Sequence, residues 1–317
     1  MHNYTIQNLL GEGTYGKVYS AINKDSQLVA LKLLKTRGSL RAADYAEMRA
    51  ASSFQNKNVL QVLSIFNHEN QLCIVSEMCE SSLGKLMQLR LGAQERKILC
   101  YGILNGIKYL HEKHFLHCDL KPDNVLITKK QLKHEQWAAV PKIIDFGLGT
   151  FLNGKYGFMR NPGASYKWTT GFRPPEVILG NWDIGYSGDI WSAGVIFLLF
   201  KSRQNPFSSA DPLQLDMIAK TFNSTKEQVV QQVLNGQGDL QLGQEWKDLY
   251  KNHPIELDFI QQMLQLDFKK RPTADQLLHH KWLEGVGDTV DQPFEQSGLM
   301  FRIFDDKQEI PSSEWVF

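Results

Sequence analysis

The stretch HFLHCDLKPDNVLIT, residues 114–128, poses the question on which the fold turns. Asp119, Lys121 and Asn124 stand at short spacing in a loop containing Pro122. Val125, Leu126 and Ile127 then read as a short buried strand. Polar groups so spaced, braced against apolar sequence, form either a catalytic loop or an ordinary polar turn. Cys118, directly before the aspartate, needs its own explanation.

Upstream the texture is that of strands. Residues 4–35 alternate apolar and polar positions with glycines between, which predicts a strand, a Gly-rich turn, a strand, a polar hairpin and a third strand. Residues 40–54 are Ala-rich with helical spacing. VLQVLSIF and QLCIVSEM are two further strand candidates. From about residue 83 the pattern turns helical, with long segments predicted over ERKILCYGILNGIKYLHEKH, 189–201, 212–234 and 255–265. The fold class that follows is α+β, a small β-rich part joined to a larger helical part. The domain divisions are 1–76, a joint at 77–82, 83–283, and a tail at 284–317.

Composition narrows the function classes. The 317 residues are 42% hydrophobic and 22% charged, a soluble globular balance, and the net charge of +1 argues against nucleic-acid binding. The longest apolar stretch, near Ile190–Phe200, is broken by Ser192 and Gly194 and reads as a buried helix, not a membrane span. The four cysteines are scattered, with no CxxC spacing and no disulfide framework, which points to a reducing, intracellular compartment. The N-terminus carries no signal pattern.

Two further pieces carry chemistry. GEGTYGKV places Gly11, Gly13 and Gly16 between strands. That is a Gly-rich hairpin, or a flap whose backbone N–H groups approach phosphates because no Cβ obstructs them. A dinucleotide-binding helix is disfavoured, because VYSAI, a strand, follows. In VALK, Lys32 lies in an apolar strand and needs an anion, a phosphate or Glu47, unless it sits on an exposed edge.

GEGTYGKVY, VALK, a helical glutamate, HCDLKPDN and IIDFG follow one another in the order of the eukaryotic protein kinases, which the chain resembles. RPPEV (173–177), DIWSAGVI (189–196) and KKRPTADQLLHHKWL (269–283) resemble that family's later landmarks, so the resemblance covers about 1–283. It implies the bilobal kinase fold, ATP and Mg²⁺ as cofactors, and transfer of the γ-phosphate to protein hydroxyls.

The resemblance also implies roles. Asp119 is the base, Lys121 sits near the γ-phosphate, and Asn124 and Asp145 bind Mg²⁺. Lys32, paired with Glu47, holds the α/β-phosphates. Leu10, Val18, Ala30 and Leu126 enclose the adenine, and Glu77–Cys79 form the hinge. Ser76 falls at the position gating the pocket behind the adenine. Glu176 and Arg271 form a structural pair, Asp189 holds the catalytic loop, and His117 supports the segment around Asp145. Trp191, Leu277 and Trp282 read as core, and His111 and His114 as surface or helix-end residues.

DLKPDN and Thr169 resemble the serine/threonine pattern. Arg173 and the segment 211–225 resemble the group of cyclin-dependent, mitogen-activated and dual-specificity tyrosine-regulated kinases. Most relatives carry arginine where Cys118 stands, and cysteine cannot gather an activation-loop phosphate. Tyr166, Thr14 and Tyr15 fall at regulatory positions of related kinases, Tyr166 as a site of autophosphorylation. The competing classes are a pseudokinase scaffold and a small-molecule phosphotransferase.

Two segments stand outside this plan. Residues 128–141 lengthen the gap between Asn124 and Asp145 and read as an enlarged surface hairpin. The tail 284–317 carries eight acidic residues against Arg302 and Lys307, a net −6, which leaves +7 on residues 1–283. With Phe294, Phe301, Phe304, Trp315 and Phe317, the tail is expected to pack in cis, to dock a partner or to be disordered. The expected protein is a monomer, cytoplasmic or nuclear, acting on protein substrates without nucleic acid or membrane.

Overall fold

A computed structural model describes residues 3–13, 16–34, 52–69, 71–131, 137–152, 158–159, 168–180, 184–208 and 213–289. The expectations for Thr14, Tyr15, Glu47, Tyr166 and the tail beyond residue 289 fall outside these residues, as do positions 132–136 of the insert.

The N-terminal part is an antiparallel sheet of β1 (Tyr4–Gly13), β2 (Gly16–Asn23), β3 (Leu28–Leu34), β4 (Val62–His68) and β5 (Gln71–Glu77), in the order β1-β2-β3-β5-β4. The period of two explains which residues it offers to a site. Val29 and Leu31 of β3 are buried with Ala21, Cys73 and Val75 in one small core. Ala30 and Lys32, on the opposite face, are half-buried and line a pocket. Gly16 is required by packing, because a Cβ there would come within 2.1 Å of the Leu33 carbonyl oxygen.

After β5 the chain passes through Met78 and Cys79 into β6 (Ser81–Ser82), which pairs with β8 (Val125–Gln131); β7 is Phe115–Leu116. β8 pairs with β9 (Trp137–Ile143) as an antiparallel hairpin that carries the insert. The helical part packs around the Ala93–Glu112 and Ser187–Ser202 helices. The second is buried from Gly188 through Phe200, so its apolar residues run round every face instead of forming a stripe. Trp191, Leu277 and Trp282 lie in this core. Among the described residues, no helix is long and apolar enough to cross a membrane.

The structure divides the expected 212–234 helix in two, Gln214–Thr221 and Lys226–Asn235. Asn223 has φ 50° and Thr225 caps the second helix through Gln228 N, so local turn chemistry overrides the apolar spacing.

The sheet is clasped to the helical part through β9. Glu77 Oε1 accepts from Lys142 Nζ at 2.8 Å and from Gln61 N–H at 2.8 Å. Lys142 Nζ also donates to the Lys57 carbonyl at 3.0 Å, and Asn58 Nδ2 donates to the Pro141 carbonyl at 3.0 Å. Residues 57–61 are thereby tied both to the end of β5 and to β9.

Candidate active site

The loop after β7 is held from below. Asp189, at the start of the Ser187–Ser202 helix and fully buried, accepts His117 N–H at 2.9 Å on Oδ2 and Cys118 N–H at 3.0 Å on Oδ1. His111, in the last turn of the Ala93–Glu112 helix as expected, also places Nε2 3.1 Å from Asp189 Oδ2, a contact the sequence did not show. The two amide bonds fix Cys118 at φ 66°, a left-handed conformation in which non-glycine residues are uncommon.

His117 ties this loop to the next segment. Its Nδ1 accepts Asp119 N–H at 3.2 Å, so the ring proton sits on Nε2, which donates to the Ile144 carbonyl at 2.9 Å. The following residue, Asp145, has φ 63°. Asp119 and Asp145 are thus set from one buried imidazole.

The Asp119 carboxylate is 4% exposed and surrounded by side-chain donors. Asn124 Nδ2 donates to its Oδ2 at 2.9 Å and to the Asp119 carbonyl at 2.7 Å. Lys121 Nζ is 3.0 Å from Oδ2 and donates to Thr169 Oγ1, also at 3.0 Å. Thr169 donates to Asp119 Oδ1 through its hydroxyl and, at 3.2 Å, through its N–H. Base, ammonium and hydroxyl therefore form a closed triangle.

Above this loop lies a pocket between β1, β2, β3, β5 and β8. Of the residues singled out from the sequence, Leu10, Val18, Ala30, Lys32, Ser76, Glu77, Cys79, Asn124, Leu126 and Asp145 line it together. Met78, inside the expected hinge, lines it too, whereas Leu60, Val62, Ile74, Ile144 and Phe146 also line it and were missed. Val62 and Ile74 show only the alternation of a strand, which marks a buried face without saying what it faces. Asp119 and Lys121 lie beside the pocket, linked to it through Asn124. The glycines stand in the β1-β2 hairpin, with Gly11 opposite Val18 and Gly13 opposite Gly16.

The pocket's polar end has charge and oxygen. Lys32 Nζ is 3.9 Å from Asp145 Oδ1, with both side chains about a fifth exposed (22% and 18%). Asn124 commits its Nδ2 to Asp119, which leaves its amide oxygen as the atom available to a cation. Among the described residues, no three His, Cys, Asp or Glu side chains gather into a metal cage. Two oxygen ligands fit magnesium, which usually keeps water and phosphate ligands besides one or two from protein. At the other end, burial first and then the Glu77 charge push the Cys79 thiol up to about 12, so it is a neutral wall of the pocket.

The described residues hold two buried bidentate ion pairs. Arg271 meets Glu176 in bidentate fashion at 2.6 and 2.7 Å and donates to the Gln265 and Ser187 carbonyls. Arg96 meets Glu256 at 2.6 and 2.7 Å, a second bidentate pair that the sequence did not disclose.

The protein kinase domain family profile matches residues 4–283. The chain is 25% identical to mitogen-activated protein kinase p38b of Drosophila melanogaster over 98% of this chain and 87% of the relative. It is 29% identical to human mitogen-activated protein kinase 12 over 90% and 79% of the two chains. It is also 28% identical to calcium-dependent protein kinase 6 of Plasmodium berghei over 92% of this chain and 18% of the relative. The chain belongs to the protein kinase domain family, and its α+β architecture is that of the family. Two of these relatives are mitogen-activated protein kinases, in agreement with the lean toward the group of cyclin-dependent, mitogen-activated and dual-specificity tyrosine-regulated kinases.

Proposed function

We propose that this chain is a serine/threonine kinase that transfers the γ-phosphate of ATP to hydroxyls of protein substrates. The observation that carries the reading is the triangle of Asp119, Lys121 and Thr169 beside a pocket that ends in Lys32, Asn124 and Asp145.

Val18, Ala30 and Leu126 give the pocket apolar walls for a purine, and the backbone from Glu77 to Cys79 is its polar edge. Lys32 and Lys121 offer positive charge to phosphate oxygens from two sides. Asn124 and Asp145 would hold magnesium, which when bound neutralises charge on the phosphates. Asp119 aims the substrate hydroxyl and takes its proton as that oxygen bonds to phosphorus and the bridging bond to the diphosphate breaks. Lys121, with 24% of its side chain exposed, is the donor best able to leave Asp119 for the phosphate. Positioning and charge, not covalent chemistry on the protein, supply the rate.

Transfer of labelled γ-phosphate to casein or myelin basic protein tests the reading. The expected result is phosphoserine and phosphothreonine with the parent and neither with Asp145→Asn. Nucleotide uptake with no transfer would point to the scaffold class instead.

A further inference from the structure

We propose that Trp168 is a positioning residue, seated on Cys118, that sets Thr169 against Asp119 and Lys121. The inference rests on the phosphoryl-transfer reading. The geometry of the triangle depends on where Thr169 stands, and its preceding neighbour is an indole only 1% exposed.

That indole does not join the main core. It packs with Leu116, Cys118, Leu152 and Val177 in a separate apolar cluster. Cys118 is fully buried, its backbone is held by Asp189, and its Sγ lies 3.8 Å from the Leu116 carbonyl oxygen. The side chain thus turns a small, soft surface to the cluster. A guanidinium in the same place would carry charge into a dry site. The residue that departs from the family pattern is therefore the floor on which the indole rests.

The opposite side is shaped for the ring as well. A Cβ on Gly188 would lie 3.1 Å from Trp168 Cζ2, so the bare glycine leaves room beside Asp189. The indole is wedged between the catalytic loop and the start of the helix that holds that loop. The Trp168 carbonyl accepts from Arg173 Nη2 at 3.0 Å, which fixes the peptide leading into Thr169. Leu152 and Trp168, 16 positions apart in sequence, share this one cluster. Carbon and sulfur contacts place Thr169 here, where a phosphate gathered by arginine would be needed in a chain built the other way.

Steady-state kinetics of Trp168→Ala, Trp168→Phe, Trp168→Leu, Thr169→Ala and the Trp168→Ala/Thr169→Ala pair test this, with iodoacetamide labelling followed by peptide mass spectrometry on the same samples. In Trp168→Ala the account expects kcat to fall about 10- to 100-fold while KM for ATP moves less than about threefold. Trp168→Phe should recover most of the rate, since the indole Nε1 has no hydrogen-bond partner among the described residues. The double variant should be no slower than the worse single one, because the tryptophan acts through the threonine. Cys118 should resist labelling in the parent and open in Trp168→Ala, while Cys100, fully buried in the main core, stays protected. If Cys100 labels in Trp168→Ala, that variant has opened globally, and Trp168→Leu must show the kcat loss with Cys100 protected. An unchanged kcat in a folded variant, additive losses in the double variant, or ready labelling of Cys118 in the parent would overturn the proposal. A parent that transfers no phosphate yet protects Cys118 refutes the kinase reading, and the opening of Cys118 in Trp168→Ala then still decides whether the seat exists.

Discussion

Two carboxylates a few residues' reach apart in the fold serve opposite ends. Asp189 is fully buried and accepts two backbone N–H groups and His111, so its partners cannot leave without the loop unfolding. Asp119 is nearly as buried, but Asn124, Lys121 and Thr169 meet its carboxylate, and Lys121 is partly exposed. The amide donors of Asp189 belong to the loop it holds, whereas Asp119, though also bound by the Thr169 N–H, has in Lys121 a partly exposed donor that can exchange. The presence of one partly exposed, mobile donor, more than any difference in the burial of the carboxylates, separates scaffold from chemistry here.

That contrast can be broken in graded ways, taken in order of cost to stability. Arg271→Ala strands Glu176 as a buried charge and should cost about 3–5 kcal/mol, read from the urea midpoint. A smaller loss would mean that Glu176 finds water or another partner. Asp189→Asn turns one acceptor into a donor facing backbone N–H groups. It should cost about 1.5–3 kcal/mol, with turnover falling alongside stability. Stability unchanged in that variant would place Asp189 among the exchanging sites. Lys121→Ala should cost less than about 1.5 kcal/mol, because Asn124 and Thr169 still donate to Asp119, while lowering turnover roughly tenfold or more. A large loss of stability there would erase the distinction.

Legibility in the sequence followed the range of the interactions. Turn residues and strand alternation, written within a few positions, located the catalytic loop and the glycine hairpin, and the resemblance of their short motifs to the kinase family gave them their roles. Ala30, Lys32, Ser76 and Glu77 were legible through the same resemblance, whereas Ile74, carried only by alternation, was not. The Glu77–Lys142 clasp was not, since neither residue breaks a local pattern and the pairing depends on how β9 returns beneath β5. Arg96 and Glu256 lie 160 positions apart and each reads as an ordinary helix-surface charge. His111 was placed at its helix end, but a histidine there gives no sign of the buried carboxylate it meets. The break at Asn223 was hidden because apolar spacing continues across it.

The central claim meets its most direct test in Asp119→Asn, with magnesium–ATP affinity and phosphate transfer measured on one preparation. The account predicts nucleotide affinity and unfolding midpoint close to those of the parent, with transfer reduced about 10²- to 10⁴-fold. Transfer within a few-fold of the parent would contradict it, because the carboxylate at the centre of the triangle would then be dispensable.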